Sequence, residues 1–317
     1  MSFAAAATRI VASARKRRSE TLDVLAALLC LAALTAWTFA PAPATLLPMA
    51  DTPGSDRPDT RPDEHADPRD RSARWEHLVG GYGGGSFTAQ SPVRVVNPGR
   101  TDFTASDFNW IGRPFKSPIY YGLRSQHWAP ASPFGGMFDF THAKAIAQFG
   151  DVATFTGSRD GQPMPPKAKI EDVFRHLEFS HGHNILTLNG LLRLPAWSLP
   201  IRPYIGLGGG ITLPHTEIGL RNENTRTYEY QFAGYVGQVL VGVQIPIGRV
   251  AAFAEYKFTY APYSVPLSHE PNGDILFTDL WRQFRAWFGG EAPPGGTLTT
   301  TLATSHAIGG ILIRAAP

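Results

Sequence analysis

The chain has 317 residues, a formal net charge of only +3 and one dense basic run, Arg15 to Arg18, so a nucleic-acid partner is excluded as its organising function. Its 32 glycines and 11% aromatic residues favour strands over long helices. The single cysteine, Cys30, excludes a disulfide framework and a thiolate metal site.

From the N-terminus, the basic run precedes an apolar stretch over residues 24–37 and small residues over 40–44. This is the layout of a secretory signal peptide, residues 1–44, with cleavage after Ala44. An uncleaved anchor is the alternative, because residues 24–40 are at the short end of a bilayer span. Residues 45–74 carry Pro, Asp and Arg with almost nothing to bury, and are expected to form a disordered linker. Residues 75–317 then form the folded domain.

Within that domain, alternating segments recur over about 75–90, 113–129, 134–149, 174–194, 201–217, 228–246, 249–263 and 297–314, longer than ordinary soluble strands. Ile119, Tyr121 and Leu123 oppose Arg124 and Gln126, and Phe138 and Phe140 oppose Asp139 and Thr141. Further on, Ile205, Leu207, Ile211 and Leu213 oppose glycines, and Val239, Val241, Val243 and Ile245 oppose Gln238 and Gln244. Ala252, Ala254, Tyr256, Phe258 and Tyr260 oppose Glu255, Lys257 and Thr259. An inward face rich in charge is the reverse of a soluble sandwich. Short connections at 130–133, 195–200 and 248–249 alternate with long ones at 91–112, 150–173, 218–227 and 264–296. The expected fold is all-β: an eight-stranded antiparallel up-and-down transmembrane β-barrel. Such a barrel belongs in a Gram-negative outer membrane with both ends periplasmic. It would be a monomer placed there by the outer-membrane assembly machinery. The last segment alternates poorly and the chain ends without an aromatic residue.

The fourth segment is the longest. Its apolar parity switches from Leu177 and Phe179 to Leu186, Leu188, Leu192 and Leu194, which predicts a one-residue bulge at Gly182, between His181 and His183. An eight-stranded barrel is filled by side chains, so Arg124, Asp139, Glu178, Glu255 and Lys257 are expected to pair as a lumen network. His142, His181, His183 and His215, with Glu171, Glu178, Glu217 and Glu229, fall in the upper halves of their strands. Such a cluster is suited to binding a divalent metal, with His181, His183 and His215 as ligands, or to moving protons. Residues 275–288 place Phe277, Leu280, Trp281, Phe284, Trp287 and Phe288 at helical spacing opposite Arg282 and Arg285. This helix is expected either at the membrane interface, through Phe277, Trp281, Phe284 and Trp287, or folded over the mouth as a plug.

Several stretches carry a resemblance to a known family. They are 112–124 (Gly-Arg-Pro-Phe-Lys-Ser-Pro-Ile-Tyr-Tyr-Gly-Leu-Arg), 138–144 (Phe-Asp-Phe-Thr-His-Ala-Lys), 179–189 (Phe-Ser-His-Gly-His-Asn-Ile-Leu-Thr-Leu-Asn), 202–215, 255–260 and 295–302. Over residues 75–314 the chain resembles the rhizobial lipid A oxidase-like family of small outer-membrane barrels. The resemblance implies lipid A or lipopolysaccharide of the outer leaflet as partner. It implies oxidation of the proximal glucosamine of lipid A to 2-aminogluconate, with molecular oxygen as oxidant. With no flavin or nicotinamide fingerprint in the chain, a divalent metal is the simplest electron route. The expected catalytic set is His142, His181, His183, Glu178, Asp139 and Glu255, with His215 at the metal. A non-catalytic barrel with a structural, anchoring or adhesion role is the alternative. The long aromatic fourth loop and the non-aromatic C-terminus depart from the family's pattern.

Overall fold

The computed structural model describes residues 74–195 and 200–315, so the signal-peptide and linker expectations fall on residues outside it. The strands in chain order are β1 Glu76–Thr88, β2 Ser91–Asn97, β3 Thr101–Phe108, β4 Trp110–Ile111, β5 Tyr121–Trp128, β6 Phe134–Ala147, β7 Val152–Arg159 and β8 Gln162–Pro163. After them come β9 Lys167–Lys169, β10 Phe174–Arg193, β11 Arg202–Thr212, β12 His215–Leu220, β13 Thr227–Tyr230, β14 Gly234–Ile247, β15 Val250–Pro266 and β16 Thr297–Arg314. Two helices join them, the single-turn α1 Ile170–Val173 and α2 Leu276–Gly289.

Eight antiparallel strands hydrogen-bond in the order β1, β5, β6, β10, β11, β14, β15, β16, and β16 returns to β1, which closes a ring. These eight match the expected segments, with differences at three ends. Residues 113–120 form a turn with a cis Ser117–Pro118 bond, so β5 starts only at Tyr121. Pro214, which has no N–H to give to a ladder, separates β11 from β12, and β14 begins at Gly234. The long connections are not simple loops. They carry β2 to β4, β7 to β9, and β12 and β13, which raise the ring's upper end into a second layer of sheet, with β2 pairing on the top of β16 and β12 on the top of β10.

The weakly patterned last segment is a full strand, with β15 and β1 on its two sides. Its blurred pattern has the same cause as the parity switch in β10. In the lower part of the ring, Val239, Val241, Ile311 and Ile313 point outward and are exposed, while Gln238, Thr304 and His306 point inward and are buried. In the upper part the code reverses: Leu177, Phe179, Leu298, Leu302, Tyr263 and Val265 point inward into one apolar core with Val93, Phe103, Phe108 and Phe155. A strand crossing both zones shows apolar residues first on one parity and then on the other without turning over.

The expected one-residue bulge is therefore corrected to a wider one. Phe179 pairs with Ala145 and His183 with Ala143, so Ser180, His181 and Gly182 together face Lys144 alone. Two extra residues leave the inward parity unchanged. Gly182 takes a φ of 146°, closed to most L-residues, and a Cβ there would press on the Asn184 amide at 2.5 Å.

Candidate functional site

The interior charges lie inside the ring at mid-height. The Arg124 guanidinium donates two parallel bonds of 2.8 Å to Glu255 and a third from Nε to Asp139 Oδ1 at 3.1 Å. Lys257 Nζ donates to Asp139 Oδ2 at 2.7 Å, to Tyr82 Oη at 2.8 Å and to Thr141 Oγ1 at 2.5 Å. Tyr204 Oη donates to Glu255 at 2.6 Å. Two cations face two carboxylates, and Arg124 also packs against the mutually edge-on Tyr82 and Phe253 rings, 4.7 and 4.6 Å from their centroids. A Cβ at Gly122 would overlap the Tyr82 ring, so the absent side chain there makes the tyrosine's position possible. The four charges neutralise one another, as buried charges must. Trp128, Met137, Leu191 and Leu240 belong to the apolar cluster at this level of the ring, and a second apolar core lies above it. Glu178, the fifth expected member, is elsewhere: it points outward near the top of β10.

The expected catalytic set does not converge. Asp139 and Glu255 are held in the interior network. His183 points inward, hydrogen-bonded to Tyr263 Oη. His142 pairs with Asn184 on the outer face of the same sheet, at 2.8 Å, under the stacked Tyr121 ring. His181 lies in the bulge and meets His215 with ring centroids 5.2 Å apart, beside Tyr228. His215 Nε2–H donates to Gly273 O at 3.2 Å, and burial drives the pKa of the ring down to about 3. Glu171 pairs with Lys169 in the open, and Glu229 is buried against Arg282, Ser268 and Gln231.

What the fold does bring together is His176, Glu178 and Glu217. Directly opposite register between β10 and β12 sets Glu178 beside Glu217, and period two sets His176 on the same outward face. Their ligand atoms all lie within 4.8 Å of one another. His176 Nδ1 is 3.3 Å from Glu217 Oε1, and Arg226 donates to the same oxygen at 3.1 Å. Burial holds the His176 pKa below the ordinary imidazole value, so the ring is neutral at pH 7 and available as a ligand. Burial, with the Glu178 carboxylate beside it, pushes Glu217 up to about 7 against the pull of Arg226. The alternation of His176 and Glu178 against Leu177 and Phe179 is plain in the sequence. Glu217 comes from β12, Arg226 from the connection after it and Tyr228 from β13, and no local spacing announces them.

The raised pKa has a signed consequence. Glu217 ionises near 4.5 in the unfolded chain and near 7 in the fold, so its protonated form favours folding below about 4.5 and that contribution is lost as the pH rises through about 7. Glu217→Gln is therefore expected to raise the denaturant midpoint relative to the parent at pH 8 and to leave it unchanged at pH 4.5. An equal shift at both values would show that Glu217 keeps an ordinary carboxylate pKa.

Helix α2 is attached through its polar side. Asp279 Oδ2 accepts from the Tyr230 N–H at 3.1 Å, and Gln283 both accepts from Phe232 N at 2.7 Å and donates to Phe232 O at 2.9 Å. Arg282 pairs with Glu229 at 2.7 Å, with Glu270 and with Asp279. Phe277, Trp281 and Phe288 stay exposed, and neither Phe284 nor Trp287 is buried. The aromatic stripe is therefore not what holds α2 to the protein.

No protein-family model matches the chain, and no curated protein aligns with it significantly.

Proposed function

We propose that the chain is an outer-membrane β-barrel that works in the headgroup layer of the outer leaflet, on lipid A. One observation carries the membrane reading. The ring is inside out in its lower part, with Val239, Val241, Val243, Ile245, Ile247, Ile311 and Ile313 exposed around a sealed, charge-neutral interior. Water gives no reason to expose such a band, whereas hydrocarbon does, and closure of the ring satisfies every ladder that hydrocarbon would leave unpaired. Exposed Tyr235 and Tyr260 stand near the upper limit of that band, as interfacial aromatics do. The filled interior argues against passage of solutes.

The activity proposed is the one implied by the resemblance to lipid A oxidases: oxidation of the proximal glucosamine to 2-aminogluconate at the expense of molecular oxygen. Its support is that His176 and Glu178 face outward on the part of β10 above the band, with the largely buried Glu217 beside them. Two carboxylates and a neutral imidazole fit a divalent first-row cation, which would replace Arg226 on Glu217 and supply an electron route between sugar and oxygen. His176 Nδ1, 3.3 Å from Glu217 Oε1, holds that carboxylate in place. Gain of one oxygen atom on lipid A, seen by mass spectrometry in cells with the gene and absent without it, is the expected result. His176→Ala or Glu217→Gln should remove the product while the barrel still accumulates in the membrane. A second reading, a non-catalytic barrel, is favoured by the burial of His183, Asp139 and Glu255. Unchanged lipid A in both strains would select it.

A further inference from the structure

Helix α2 has its sides reversed for a helix packed on a protein. At 3.6 residues per turn, Phe277, Trp281, Phe284 and Phe288 form one stripe, and Asp279, Gln283 and Ala286 lie diametrically across from it. The second group is the one that faces the protein, through three hydrogen bonds to the backbone of Tyr230 and Phe232. Phe277, Trp281 and Phe288 are 66%, 64% and 90% exposed. A helix of this amphipathicity ordinarily turns its apolar side inward; here buried polar anchors fix it the other way, and Phe277, Trp281 and Phe288 are left exposed with Phe284 half-buried among them.

The occupant of that stripe is identified by what it joins. Trp287, on its flank, packs edge-on against Phe232 at 6.0 Å, and Phe232 packs edge-on against Tyr235 at 5.6 Å. Tyr235 is the uppermost outward residue of β14 and stands on the same face as Val239, Val241 and Val243. The aromatic stripe is thus continuous with the upper edge of the apolar band. Arg285 is exposed beside the stripe, where a cation would meet lipid phosphate.

We propose that α2 is an interfacial foot: it lies on the outer leaflet of the membrane that surrounds the ring, with Phe277, Trp281, Phe284 and Phe288 entering the boundary between headgroups and acyl chains. The inference rests on the membrane reading of the ring, and goes beyond it by giving the protein a second, laterally displaced contact with the same leaflet. Asp279 and Gln283 set the helix's roll, and the aromatic stripe supplies the attraction.

The test places a nitroxide on the full chain at Trp281→Cys in a Cys30→Ser background, reconstituted in phosphatidylethanolamine and phosphatidylglycerol vesicles. Labels at Val241→Cys and Lys167→Cys are the references for band and water. Accessibility to oxygen is compared with accessibility to a water-soluble nickel complex. The expected result is a ratio at 281 several-fold above that at 167 and below that at 241. A ratio at 281 equal to that at 167, with 241 lipid-like, overturns the foot and leaves the membrane reading standing. Low accessibility to both reagents at 281 also overturns it, in favour of a protein partner or a second copy. Water-like values at 241 and 281 together overturn the membrane reading and the foot with it.

Discussion

Arg124→Met is expected to destabilise the folded chain by about 3–5 kcal/mol, the usual cost of removing one partner from a buried ionic group. Glu255 would lose both 2.8 Å bonds and keep the Tyr204 hydroxyl, and Asp139 would lose the Nε bond and keep Lys257. No water replaces the guanidinium easily, because Arg124 and both carboxylates are fully buried, with the Tyr82 and Phe253 rings packed against the guanidinium. Denaturant unfolding of the refolded protein measures the loss. Removing an opposite pair, Asp139→Leu with Lys257→Met, should cost clearly less than the two single losses added together, because the remaining Arg124 and Glu255 still neutralise each other bidentately. A loss under about 1 kcal/mol for Arg124→Met would mean that the quartet is hydrated and that the ring is not sealed.

Val241→Arg should cost about 2–4 kcal/mol in lipid vesicles, since Val241 is 50% exposed in the middle of β14 and an arginine there would enter the centre of the hydrocarbon. The same substitution on a surface facing water costs within about 0.5 kcal/mol. Thr299→Arg, outward and exposed on the upper part of β16, is the control and should be close to neutral. Urea titration in vesicles measures both variants. A cost at Val241 no larger than that at Thr299 would mean that the exposed band does not meet lipid.

Most ring strands were legible because they carry their code over many residues, as Val239 to Ile245 against Gln238 and Gln244 does in β14. The added strands were not. β4, β8 and β9 are two or three residues long, too short for a period, and β2, β3 and β7 belong to a layer whose core is apolar in the ordinary way. Two opposite codes meet within single strands, and this is why Leu177 and Phe179 imitated a flip of β10 and why β16 looked unpatterned. In the site, the pairing of Arg124, Asp139, Glu255 and Lys257 followed from parity alone. Glu178 could not be separated from them, because parity says which face a residue occupies and not at what height the lining changes character. The histidines show the limit most clearly: His142 and His183 are cross-strand neighbours by height and lie on opposite faces.

The carboxylate of Glu76 accepts from Arg314 at 2.6 Å across 238 residues of chain, and from Arg193 at 2.6 Å. That contact stands beside the ladder of β1 and β16, the one that turns a sheet into a ring. It gives the protein a kinetic character: every other ring ladder joins strands next to each other in the order of the cylinder as the chain is made, whereas this one waits for the last ring strand. Until then β1 and β15 are open edges, able to pair with a foreign strand. Closure therefore sets the pace of assembly, and a catalyst of assembly gains most by shielding those two edges and delivering Arg314 to Glu76.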